Sequence, residues 1–290
     1  MIIRDKPGLA QLLFAVRGSV LPHIAPALAV LIGISAVLVG VDRWLIALPE
    51  SAATPFSVLG VALSLFLGFR NNAAYDRWWE ARKLWGGLLA DLRGLAREAA
   101  LFLTVEDCHR LLRLSLAFAH LHRCQLRQIA PDAAARVWGA VASADAALDG
   151  INTLLADART AGTLDGFGAR SLSGRLGSIA LNQAGCERIA GTPLPYVYSL
   201  LIFRTVYLYC LLIPLALIGP EGWLTPVFVG LIAYVFLGLA EVTEDLAHPF
   251  SQSLNAVPLD AICRAMEISL APQLGLPAPM PMAPQDFHLG

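Results

Sequence analysis

The chain has 290 residues, 57% of them hydrophobic and 15% charged, with a mean hydropathy of +0.62. A soluble domain is about 45–50% apolar and about 25% charged, so this balance points to membrane spans and not to an oily soluble core. The net charge of −1 gives no bulk electrostatic case for nucleic acid as a partner.

The first segment, residues 1–23, carries Arg4, Asp5 and Lys6 but no small-residue cleavage site after a short apolar run, so no signal peptide is expected. A helical span needs about 20 mostly apolar residues. Four windows approach or meet that length: Ile24–Val41, Pro55–Phe69, Tyr196–Leu217 with Arg204 inside it, and Trp223–Ala240. Trp44 and Trp223 sit at span ends, where amphipathic rings favour the interface. If the N-terminus is inside, the outer loops are Asp42–Thr54 and Gly219–Gly222. They hold Asp42, Glu50 and Glu221 but, of the 21 Lys and Arg, only Arg43. The positive-inside rule then places both termini in the cytoplasm.

Residues 24–69 are thus read as spans one and two, 70–195 as a cytosolic helical domain, and 196–241 as spans three and four. Residues 242–290 form a cytosolic C-terminal segment. Helical periodicity in the cytosolic domain runs through Leu88, Leu92, Leu95 and Ala99, then Leu111 to Leu121, then Val137 to Leu155. Breaks are expected at Pro131–Asp132, at Gly150 and in the Gly-rich run Thr163–Gly177. The Pro-rich tail from Ala271 is expected to lie extended or disordered.

In the second span Val61, Leu65 and Phe69 recur at i, i+4 and i+8, so they share one face, beside the small residues Gly60, Ala62, Ser64 and Gly68. Several copies presenting this face could ring a pore with a hydrophobic constriction. A lipid-facing or packing stripe has the same spacing. The segment after it holds Arg70, Asn71, Asn72, Tyr75, Asp76, Arg77, Trp78, Trp79 and Glu80. An aromatic and basic interface belt accounts for much of it, but Asn71, Asn72, Asp76 and Glu80 are costly near hydrocarbon unless paired or hydrated. They fit subunit contacts or a hydrated mouth.

Arg204 within span three is an intramembrane charge, for which Glu241, Glu244 and Asp245 are candidate partners. His120 and His122 are two apart and point to different sides of a helix, which does not make a metal site. The five cysteines lack CxxC spacing and are expected as free thiols. No inverted repeat suggests a carrier, and no convergent titratable set suggests an enzyme, so no catalytic residue, metal or cofactor is expected.

The run Phe69-Arg-Asn-Asn-Ala-Ala-Tyr-Asp-Arg-Trp-Trp-Glu-Ala-Arg-Lys-Leu-Trp85 resembles the bacterial branch of the bestrophin ion-channel family. So do Leu63–Phe69, Gly191-Thr-Pro-Leu-Pro-Tyr-Val-Tyr-Ser199 and Pro258-Leu-Asp-Ala-Ile-Cys-Arg264, and the likeness runs over roughly residues 5–270. The resemblance implies an all-α membrane protein with four transmembrane helices continuing into a cytosolic helical domain. It also implies a homopentamer around a central pore in the bacterial inner membrane, among membrane lipids.

On that resemblance the pore neck falls at Val61, Leu65 and Phe69, and a cytosolic aperture at Ile179 in Ser178-Ile-Ala-Leu-Asn182. It implies passive conduction of small monovalent ions, with cations such as sodium favoured, and a chloride-selective channel of the same fold as the alternative. A non-conducting membrane scaffold is a further alternative. Calcium-gated members carry an acidic cluster where this chain has His248-Pro-Phe-Ser-Gln-Ser-Leu-Asn255, without a carboxylate. Calcium prefers six to eight oxygen ligands, several of them carboxylates, so no calcium activation is expected at this segment.

Overall fold

The computed structural model describes residues 8, 18–49, 52–284 and 287. Arg4, Asp5, Lys6 and Glu50 lie outside them, as does the end of the tail. The described elements are helical. They are α1 (Leu21–Trp44), α2 (Ala53–Phe102), α3 (Val105–Leu126), α4 (Ala133–Arg136), α5 (Ala144–Thr160), α6 (Gly166–Gly191), α7 (Tyr196–Leu212), α8 (Pro214–Glu221), α9 (Thr225–Ala247) and α10 (Leu259–Leu270). Short 3-10 turns occupy Gly222–Leu224 and Ala271–Leu274. The chain divides into two compact units, one of residues up to Arg77 with Pro193–His248, the other of Trp78–Thr192 with the chain from Pro249.

The first unit is the apolar one. Three stretches are long and apolar enough to cross a membrane: Leu21–Trp44, Ala53–Phe102 and Tyr196–Ala247. The third, 52 residues long, is where the sequence suggested two spans. It is divided by Pro214 at the start of α8 and by Gly222, whose φ is +52°. A side chain at Gly222 would meet both that left-handed backbone and the Arg43 guanidinium, 2.7 Å from the Cβ position. Nearby, Trp44 and Trp223 approach with ring centroids 5.6 Å apart.

Its core is built from one stripe of each helix: Ile24, Leu28 and Leu31 of α1, Leu63 and Leu67 of α2, Val206 and Tyr209 of α7, and Val229, Ala233 and Leu237 of α9. These helices lack side-chain N-caps at α1, α7 and α9. In the second unit the helices α3 to α6 are capped by side chains, whereas α10, which starts after Pro258, is not. Thr104, Asp132, Ser143 and Asp165 accept from the backbone N–H three residues on in α3 to α6.

In the second unit Leu88, Leu92, Leu95 and Ala99 of α2 are fully buried against α3, α5, α6 and α10 residues such as Leu111, Ile151, Leu172 and Cys263. Three expected boundaries move. Val137 to Leu155 is not one helix, because Ser143 starts α5 afresh. Gly150 breaks nothing. It lies within α5, where its bare Cα lets the Leu114 side chain come within 3.4 Å of the Cβ position. The Gly-rich run is helical from Gly166, and Gly168 serves close packing, since a Cβ there would sit 2.8 Å from Leu164 and Phe102. The tail begins as an ordered turn, with Ala271 and Leu274 buried.

A candidate pore-lining face and its anchor

α2 carries the site. It runs unbroken from Ala53 to Phe102, 50 residues, with no proline after Pro55 in its first turn. Its first part has a buried side, Leu63, Leu67, Arg70 and Ala74. On the opposite side Val61, Leu65 and Phe69 are 63%, 56% and 68% exposed. Burying apolar side chains is worth about 25 cal/mol per Å², so an uncovered stripe of this kind is a surface made to face something other than its own core. Continuing down that face, Asn72 and Asp76 are also exposed, three and seven residues past Phe69.

The buried side fixes the face in place. Arg70 Nη2 donates to Ser199 Oγ at 2.7 Å and to Glu244 Oε2 at 2.5 Å. Ser199 Oγ also reaches Glu244 Oε2 at 3.4 Å. Thr243 Oγ1 donates to Asn71 Oδ1 at 3.3 Å, and Arg77 Nε to the Ala247 carbonyl at 2.8 Å. Together these bonds tie α2 to α7 and to the last two turns of α9. Arg70–Arg77 belong to the same compact unit as α7 and α9. Ser64 Oγ donates to the Gly60 carbonyl at 2.8 Å, so this hydroxyl is spent on its own helix.

The rest of the motif divides. Tyr75 and Trp79 are exposed, and Trp78 stacks with Trp79 at 6.4 Å. In the second unit Trp78 Nε1 donates to the Asn255 carbonyl at 2.9 Å, and Arg188 Nη2 donates to Glu80 at 2.7 Å.

Residues 1–272 match the sequence family described as Bacterial/Fungal Bestrophin protein. The chain belongs to the bestrophin family. A Mesorhizobium japonicum relative named voltage-dependent anion channel-forming protein mll4386 is 44% identical, over 99% of this chain and 97% of its own length. The Escherichia coli K12 relative of the same descriptive name, YneE, is 39% identical over 93% of each. The crystal structure of a bacterial bestrophin homologue from Klebsiella pneumoniae has a TM-score of 0.81. It is 33% identical and covers 87% of this chain and 99% of that one. This bestrophin is therefore a membrane protein of an ion-channel family, and no enzyme is named among the relatives.

In this bestrophin Ile179 of α6, where the family resemblance puts the aperture, is 0% exposed, inside the helical core of the second unit. On the same helix Leu181 is 77% exposed. The spacing that buries Leu172, Ile179, Gln183 and Cys186 turns Leu181 outward. Glu244, considered as a partner for Arg204, belongs to Arg70. No local sequence signal links Arg70 to Ser199 and Glu244, because the contacts span 129 and 174 residues.

The second unit has its own polar centre. Arg123 bridges Asp132 and Asp260, and Arg127 Nη1 meets Asp260 at 2.6 Å. Burial pulls the Asp260 carboxyl up, but the hydrogen bonds from Arg127 and Arg123 outweigh it and hold it below the usual range. These groups line a cavity of about 320 Å³ together with Ser251, Gln252 and Ser253. His120 Nε2 bonds Glu267 at 2.8 Å, while His122 stacks between Trp85 and Phe118, each at 5.6 Å. All five cysteines are buried and free.

Proposed function

We propose that this bestrophin assembles as a homopentamer around an axial pore in the bacterial inner membrane and conducts small monovalent ions passively. The stretch Tyr196–Ala247 then crosses twice, for four spans in all, with both termini cytoplasmic. The observation that carries the reading is the exposed, wholly apolar stripe Val61, Leu65 and Phe69, held outward by a buried arginine tie on the other side of the same helix. Five copies of that stripe form a neck that gates by dewetting. The cytosolic constriction falls to Leu181, an exposed apolar side chain in the middle of α6.

Asp76 supports a preference for cations such as sodium. It is exposed on the neck face two turns past Phe69, so the assembly carries a ring of carboxylates about 10 Å beyond the constriction. The anion-selective reading rests on a different observation, the name shared by relatives up to 44% identical. Against calcium activation, the carboxylates beside Ser251–Ser253 are Asp132 and Asp260, both engaged by arginine.

The deciding experiment is a reversal potential with purified protein in a planar bilayer under a salt gradient. A value near the cation equilibrium potential is expected. Asp76→Asn should move it toward zero, and Leu65→Ala and Phe69→Ala should raise conductance. A value near the anion potential would replace the selectivity assignment, and unchanged currents in both alanine variants would remove these residues from the neck.

A further inference from the structure

Among the described residues, two charges on α7 and α9 have no partner. Arg204 of α7 and Glu241 of α9 take part in no ion pair or side-chain hydrogen bond among the described residues. Every other charge placed around them is engaged: Arg70 with Glu244, Arg77 with the Ala247 carbonyl. A charge within an apolar span is costly unless it finds a counter-charge or water.

Their placement is specific. Ser199 and Glu244 touch, which aligns α7 and α9 at that level. From there α7 leaves toward α8 and the Gly222 turn, and α9 returns from that turn. Arg204 therefore lies about 7.5 Å beyond Ser199, and Glu241 about 4.5 Å before Glu244, on the same side of the tie and at nearly one depth. Arg204 stands exposed among Val197, Leu201 and Leu208 at −7, −3 and +4, all of them exposed. Glu241, partly exposed, continues the exposed line of Leu231 and Tyr234 at −10 and −7. Each helix thus presents an apolar face with one unpaired ion, positive on α7 and negative on α9.

We infer that the two faces are the two halves of a subunit interface, in which Arg204 of one copy pairs with Glu241 of the next. This rests on the oligomeric reading proposed above and goes beyond it by naming the contact. Two different, complementary faces on one chain make a heterologous, head-to-tail contact, the kind that closes a cyclic ring. A lipid phosphate satisfies Arg204 alone and leaves Glu241 unpaired, whereas a second copy satisfies both. The apolar groove of about 510 Å³ that runs beside Arg204, lined by Phe66, Tyr198, Leu201 and Thr205, gives the neighbouring copy a surface to fill.

The test uses full-length protein in detergent and in liposomes. Chains carrying Arg204→Cys and one affinity tag are co-expressed with chains carrying Glu241→Cys and another, then treated with a short bismaleimide, because backbones spaced by an Arg–Glu pair stand beyond disulfide reach; the native cysteines are buried. A cross-linked product bearing both tags is expected, and none from either variant alone. In parallel, Arg204→Glu or Glu241→Arg should cut the assembled fraction about tenfold, and the double reversal should restore most of it. If wild type runs as a monomer, the oligomeric reading itself fails. If it assembles, but no mixed product forms and the reversals change nothing, the oligomer stands and the pair is wrong. Anionic lipid retained by wild type and by Glu241→Gln but lost from Arg204→Gln also overturns the pair, giving Arg204 to lipid.

Discussion

Arg70 and Glu244 meet at 2.5 Å, with the arginine almost wholly buried and the glutamate a third exposed. Among the described residues, Nη2 is the only guanidinium nitrogen of Arg70 with a partner, since Nε and Nη1 are buried without one. Removing the carboxylate therefore strands a buried cation. Glu244→Ala should lower stability by about 2–4 kcal/mol, and Arg70→Gln by less, because the glutamate left behind can reach water. Thermal unfolding in detergent measures both. Equal midpoints for wild type and Glu244→Ala would show that the tie does not hold α2.

Gly60 and Tyr209 give a second prediction. A Cβ on Gly60 would lie 2.7 Å from the Tyr209 hydroxyl and 3.3 Å from Cζ. Tyr209 cannot swing away freely, because it is buried and packs edge-on against Phe236 at 5.6 Å. Gly60→Ala should cost about 1–3 kcal/mol by overpacking. Adding Tyr209→Phe removes the clashing oxygen and should recover about half. Additive losses in the double variant would mean the two residues do not meet.

The shared exposed face of Val61, Leu65 and Phe69 was legible in the sequence because a 3.6-residue period shows itself over nine residues, and the apolar windows were legible because hydropathy is a local property. Ile179 illustrates what was not. Residues 179 and 181 lie about 200° apart on a helix, and a resemblance placed by sequence position alone does not say which of the two faces outward. Likewise Gly150 and Gly168 read as breaks by composition. Whether a glycine ends a helix or admits a neighbour depends on Leu114 or Phe102 arriving from elsewhere in the chain.

His122 sets a pH dependence. Burial depresses its pKa to about 4 from an ordinary 6.5, and both ring nitrogens are without partners among the described residues. The unfolded chain binds a proton there below about pH 6.5 and the folded chain only near 4. Stability is thus full above 6.5 and falls as pH drops between those values, by about 3 kcal/mol in all. His122→Phe should flatten the midpoint-versus-pH curve in that window whatever its effect at pH 8. A slope unchanged in the variant would assign the acid sensitivity elsewhere.

Ile179 and Leu181 separate packing from permeation on one helix. Ile179 is completely enclosed, so Ile179→Ala leaves a cavity and should cost about 2–5 kcal/mol. Leu181 is 77% exposed, and Leu181→Ala should change stability by less than about 0.5 kcal/mol. If five copies of Leu181 ring the cytosolic path, the same substitution should alter single-channel conductance or the permeability ratio in bilayers. A conductance change from Ile179→Ala at normal stability, with Leu181→Ala silent, would return the aperture to Ile179 and require α6 to turn its buried face toward the pore.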